Sequence, residues 1–146
     1  TSRYHWAQVG GPSECAVAVR SFVDTTFDVR KQRKAIDLLV ELRRTREVVL
    51  SIQVLQEYFV TATQKLKLTP DFARRRLTQY GRFETIRPDL DLVLAAVDLH
   101  RLNQLSFWDA LIIQSAIAGG CGRVLSEDLQ HGAVLGGVRI VNPFAA

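Results

Sequence analysis

Four acidic residues, Asp24, Glu57, Asp109 and Asp128, occupy positions from which a metal-assisted chemistry can be built. Asp24 closes an apolar run, Glu57 lies in a helical stretch opened by Ser51, Asp109 follows Ser106 by three residues, and Asp128 follows Leu125 by three. Carboxylates that converge in a dry pocket repel one another and cannot all stay ionised there without cations. Hard divalent ions such as Mg²⁺ or Mn²⁺ resolve the repulsion, because they take oxygen ligands and keep several waters. A pair of such ions can activate a water and stabilise the leaving oxygen of a phosphodiester. This chemistry calls for acids rather than imidazole or thiolate, and none of the three histidines has metal-ligand spacing.

Each acid also has a purely structural reading. Ser106-Phe107-Trp108-Asp109 has the spacing of a capping box, in which Asp109 bonds back to the Ser106 amide. Ser126-Glu127-Asp128 reads equally as a polar turn after a strand, Asp24 as a cap or turn residue, and Glu57 as part of a solvated helix face. His131 before Gly132 reads as a turn histidine, and Trp108 as a core or interface residue rather than a base-stacking platform. Spacing alone leaves these alternatives open.

The elements that must position the acids alternate between strand and helix. Apolar, β-branched runs predict strands at 16–23, 47–50, 83–86, 124–125 and 138–141. Apolar residues at helical spacing predict helices at 29–44, 52–66, 71–80 and 90–102, and a further one opened by Ser106. Ser51 is placed to cap the second helix and Pro70 to start the third. Alternation of this kind implies a single-domain α/β/α sandwich with a central, mainly parallel sheet. Such sheets bind ligands beyond the carboxyl ends of their strands, and Asp24, Asp109 and Asp128 map to that edge, with Glu57 within reach of it. Residues 1–15 lack either period and are expected to be irregular, leaving 16–146 as the domain.

With 146 residues, 47% hydrophobic and 23% charged, the chain has the composition of a soluble globular domain with a full core, which excludes disordered and collagen-like classes. Its net charge of +4 suits a polyanionic partner without demanding one. The basic residues concentrate in Arg30, Lys31, Arg33 and Lys34 and in Arg74, Arg75 and Arg76, which fit either a solvated face or a guide for RNA phosphates. Two cysteines, Cys15 and Cys121, are too few for a disulfide framework, so a reducing cytoplasm and a buried Cys121 thiol are expected. No apolar run approaches the ~18 residues of a membrane span, and no export signal is recognisable at the start.

Taken in order, Phe22-Val23-Asp24-Thr25, Ser51-Ile52-Gln53-Val54-Leu55-Gln56-Glu57-Tyr58, Leu105-Ser106-Phe107-Trp108-Asp109-Ala110-Leu111-Ile112, Val124-Leu125-Ser126-Glu127-Asp128 and Val138-Arg139-Ile140-Val141-Asn142-Pro143-Phe144 resemble the PIN domain, and more narrowly the VapC-type toxins of bacterial toxin–antitoxin pairs. The resemblance implies a metal-dependent endoribonuclease in which Asp24, Glu57, Asp109 and Asp128 hold Mg²⁺ or Mn²⁺ around the scissile phosphate. It further implies Thr25 and Ser126 as supporting polar residues, a homodimer, and a partner antitoxin. The chain departs from the family pattern after Asp24, where Thr26 replaces the usual Asn and the basic stretch follows almost at once. The alternative it raises is an inactive PIN-like domain that binds an antitoxin or RNA without cleavage.

Overall fold

The computed structural model describes residues 16–18, 37, 48–126 and 129–142. Five of the expected strands are present as β1 (Ala16–Ala18), β2 (Val48–Ser51), β3 (Glu84–Ile86), β4 (Arg123–Leu125) and, near the end of the chain, β6 (Val138–Val141). A short strand absent from the sequence expectation, β5 (Val134–Leu135), precedes β6 and pairs with it antiparallel. The two are joined by Gly136 and Gly137, with φ of 60° and 82°, the pair of left-handed residues that a tight hairpin turn requires.

The helices are α1 (Ile52–Val60), α2 (Pro70–Tyr80), α3 (Leu90–Asn103) and α4 (Phe107–Ala118). The helix expected at 52–66 is α only as far as Val60; Thr61–Lys65 continues it with π-helical winding. Of the helix expected at 29–44, only Asp37 lies within the described residues, and it is helical and exposed.

Each of these four helices starts on a side chain that accepts one of the amide donors a first turn leaves without a partner. Ser51 Oγ accepts from the Val54 amide at 3.3 Å, Thr69 Oγ1 from Phe72 at 3.2 Å, Asp89 Oδ1 from Leu92 at 2.9 Å and Ser106 Oγ from Asp109 at 3.1 Å. Pro70 follows Thr69 at the first helical position, where its missing N–H costs nothing. Ser51→Ala is expected to destabilise the fold by about 1 kcal/mol, read as a fall of roughly 2–4 °C in a thermal melt.

Among the described residues the sheet runs in the order β3-β2-β1-β4-β6-β5, and every pairing except β5 with β6 is parallel. The chain winds outward from β1 through β2 to β3, then crosses back to lay β4 on the other side of β1. Ala16 aligns with Val48 on one flank and with Arg123 on the other. This reversal of winding between β1 and β4 is the topological switch point, and it opens a crevice outside their carboxyl ends.

The core lies against the central strands. Val17, Leu50, Val124, Leu125 and Ile140 are fully buried, and α4 meets them with Ala110, Ile113 and Ala116, also fully buried. Ser115 is enclosed on the same helix and satisfies its hydroxyl by donating to the Leu111 carbonyl at 2.8 Å. Cys121, just before β4, corrects the expectation of a free thiol. It is buried but disulfide-bonded, and the chain has one other cysteine, Cys15, immediately before Ala16.

Candidate metal centre

Two of the four candidate acids, Glu57 and Asp109, fall within the described residues; Asp24 and Asp128 lie outside them. Glu57 is half-buried in the second turn of α1, so the solvated-face reading does not describe it. Its neighbour one helical turn earlier, Gln53, is buried and donates from Nε2 to Glu57 Oε1 at 2.9 Å. The same nitrogen donates to the Trp108 carbonyl at 3.3 Å. Trp108 immediately precedes Asp109, so one side chain ties Glu57 to the turn that carries Asp109.

That tie also fixes the location. Gln53 stands in the first turn of α1, directly beyond the carboxyl end of β2, and its bond to Trp108 brings the start of α4 to the same edge. Asp109 is half-buried in the first turn of α4. Its amide is held by Ser106 Oγ, but the return arm of a capping box, from the Ser106 amide to the Asp109 carboxylate, is not formed. The structural reading of Asp109 is thus half realised: the serine caps, while the acid is not used in the cap.

Ser126 follows β4 and is buried. Its amide donates to the Val141 carbonyl at 2.9 Å, and its Oγ accepts from the Leu129 amide at 3.2 Å. The hydroxyl therefore ties the end of β4 to Leu129. His131 is a turn histidine, as expected from its sequence: its Nδ1 accepts from the Asn142 amide at 2.9 Å.

Of the two places expected for Trp108, core or interface, the structure excludes the core. The residue is 60% exposed, so it is no core residue, and its ring meets Phe107 edge-on with centroids 5.3 Å apart. On α2, the Arg75 and Arg76 guanidiniums lie 5.9 and 5.6 Å from the centroid of the Phe72 ring, a cation–π pairing within one helix. Arg74 is exposed. Of the other basic cluster, Arg30, Lys31, Arg33 and Lys34 lie outside the described residues.

Whether these groups fit a divalent ion can be judged from their donor atoms. Glu57 and Asp109 contribute carboxylate oxygens, and the carboxamide oxygen of Gln53 is a buried acceptor without a hydrogen-bond partner. An all-oxygen set with carboxylates suits Mg²⁺ or Mn²⁺ and does not suit a soft metal. Among the described residues no three of His, Cys, Asp and Glu form a ligand group. Sequence reasoning misses Gln53, although glutamine four residues before an acid on a helix is a recognisable pairing.

A doubly wound, mainly parallel α/β sheet with acids at its carboxyl edge defines the class to which the protein conforms. The PIN domain model matches residues 21–134, and the chain belongs to the PIN domain family. Two of the solved structures that share the fold are similar over most of this chain. One is a toxin–antitoxin complex from Klebsiella pneumoniae, with TM-score 0.67 and 19% identity over 90% of this chain and 99% of that one. The other is VapC20 from Mycobacterium tuberculosis, a sarcin–ricin loop cleaving toxin, with TM-score 0.63 and 20% identity over 85% of this chain and 98% of that one. No curated protein matches the chain in sequence. Among the described residues no helix is long and apolar enough to cross a membrane.

Proposed function

We propose that the protein is a metal-dependent endoribonuclease and the toxin of a toxin–antitoxin pair. The observation that carries this reading is the bond of Gln53 to both Glu57 and the Trp108 carbonyl, which joins two acid-bearing turns at one sheet edge in a PIN domain chain. Glu57 and Asp109, with Asp24 and Asp128, would hold Mg²⁺ or Mn²⁺. Such an ion supplies charge neutralisation at a phosphate and a more acidic bound water. The residues do the rest. The acids orient the ion, Gln53 fixes Glu57, and Ser126 and Thr25 support the edge. Arg30, Lys31, Arg33, Lys34, Arg74, Arg75 and Arg76 guide the RNA phosphates.

The toxin assignment draws on the fold shared with the Klebsiella complex and VapC20, and it brings with it a cognate antitoxin as partner and RNA as substrate. A homodimer is part of the proposal. Leu90, Leu94 and Val97 support it, since they leave an exposed apolar stripe on one face of α3. We propose residues 16–146 as one domain with 1–15 as an irregular segment, and a cytoplasmic location. The disulfide at Cys121 runs against that location, since reducing compartments seldom keep disulfides.

The test is RNA cleavage by the purified protein with Mn²⁺ or Mg²⁺. Cleavage is expected to stop on adding EDTA and to return when the ion is restored in excess. RNA left intact under every metal condition, alongside a stable complex with an antitoxin or RNA, would replace the reading with an inactive binding domain. The shortened connection after Asp24 is what favours that second reading.

A further inference from the structure

Gln53 has the features of a residue kept for the site rather than for the core. It is 4% exposed, and its Nε2 spends its donors on two acceptors, Glu57 Oε1 and the Trp108 carbonyl. The opposite amide orientation would set Oε1 against both of those acceptors, so the donor side is fixed by chemistry. Its own Oε1 is then left buried with no hydrogen-bond partner. A buried acceptor in that state costs stability, and an unbranched apolar side chain of the same length would avoid the cost. Apolar packing therefore does not account for an amide here; the two bonds of Nε2 do.

What the amide achieves is orientation. Among the described residues its bond is the only hydrogen bond to the Glu57 carboxylate, and it reaches one acid's oxygen and the neighbouring residue of the other acid at once. From this geometry we infer that Gln53 is a positioning residue for divalent-cation binding, holding the Glu57 carboxylate in place relative to the Asp109 turn. The inference rests on the metal-site reading proposed above. Outer-shell partners of this kind alter metal affinity by about 10–100-fold when removed.

The experiment compares wild type with Gln53→Met, which keeps length and loses the amide, and Gln53→Asn, which keeps the amide on a shorter arm. Mn²⁺ binding is measured directly by calorimetry or electron paramagnetic resonance, and the melting temperature is measured in EDTA. Both variants are expected to bind Mn²⁺ at least about tenfold more weakly. Gln53→Met loses the orphaned acceptor and the two bonds of Nε2 together, opposing effects that should leave its melting temperature in EDTA within a few degrees of wild type in either direction. In cleavage assays the loss should fall on kcat at low Mn²⁺, recover at high Mn²⁺, and leave KM for RNA unchanged.

Equal Mn²⁺ affinity in wild type and Gln53→Met would overturn the role of Gln53 while leaving the metal site standing. A weaker affinity accompanied by a melting temperature lower by more than a few degrees in both variants would assign Gln53 to packing and overturn it as well. A wild type that binds no Mn²⁺ would remove the metal-site reading itself, and this inference with it.

Discussion

Asp109→Asn is expected to reduce metal-dependent RNA cleavage by at least about 100-fold, the upper end of the range for loss of an outer-shell partner. Asn matches Asp in size, and its backbone amide can donate to Ser106 Oγ as that of Asp109 does, at 3.1 Å. The helix start is therefore preserved. What is lost is an anionic oxygen ligand for a hard cation. The charge also interacts with the positive end of α4, which is worth about 0.3–1 kcal/mol of stability. A 100-fold loss corresponds to about 2.7 kcal/mol of transition-state stabilisation, so the effect on cleavage should exceed the effect on folding. The check is cleavage in Mn²⁺ by both proteins beside their melting temperatures. Equal cleavage by the two would sink the assignment of Asp109.

Asp109 belongs to the part of the chain that residue types and spacing make most legible. Ser51, Pro70 and Ser106 each announce a helix start, because a cap is a local event set by one side chain and the amides two or three residues on. The parallel sheet is legible for a similar reason, since alternating strand and helix patterns admit few arrangements. Strand β5 escapes such a reading, although Gly136-Gly137 between Val134-Leu135 and Val138 carries a hairpin signal. Two residues that are at most partly buried leave no period to see. The change from α to π winding at Thr61 is not legible either, because it turns on which carbonyl an amide selects rather than on residue type.

The candidate site is legible in its acids and not in its connections. Glu57 and Asp109 stand out by type and place, but the link between them depends on a side chain reaching across 55 residues of sequence to the Trp108 carbonyl. The Cys121 disulfide is hidden for the same reason. Its surroundings are set by the register that pairs Ala16 with Arg123, and register between distant parallel strands is not written in spacing. Trp108 shows the limit of residue type alone: of the core and interface places expected for it, the core is excluded, because it stands exposed beside the site.

Ile113→Ala is expected to produce the largest loss of stability, about 2–5 kcal/mol. Ile113 is fully buried midway along α4, against a core that includes Leu50, Val124 and Ile140. It also stands beside the hairpin turn: a β-carbon placed on Gly136 would lie 3.6 Å from Ile113 Cγ2. Removing the side chain beyond Cβ leaves a cavity flanked by sheet and hairpin, and neither collapses readily onto it. Against a total stability of about 5–15 kcal/mol, the loss should lower the melting temperature by roughly 5–15 °C. Val60→Ala at the end of α1 is the control, because Val60 is 50% exposed and its truncation should change stability by no more than about 0.5 kcal/mol. Comparable losses from both substitutions would show that α4 is not the central buried helix. Ile113 also lies one helical turn beyond Asp109 on the same side of α4, so the packing that anchors Ile113 holds the turn bearing the acid. Ile113→Ala should therefore lower cleavage through the folded fraction and a looser Asp109 turn, whereas Asp109→Asn removes it from a protein that melts nearly as wild type. Cleavage measured well below the melting temperature separates the two, with Ile113→Ala retaining most of the activity that Asp109→Asn has lost.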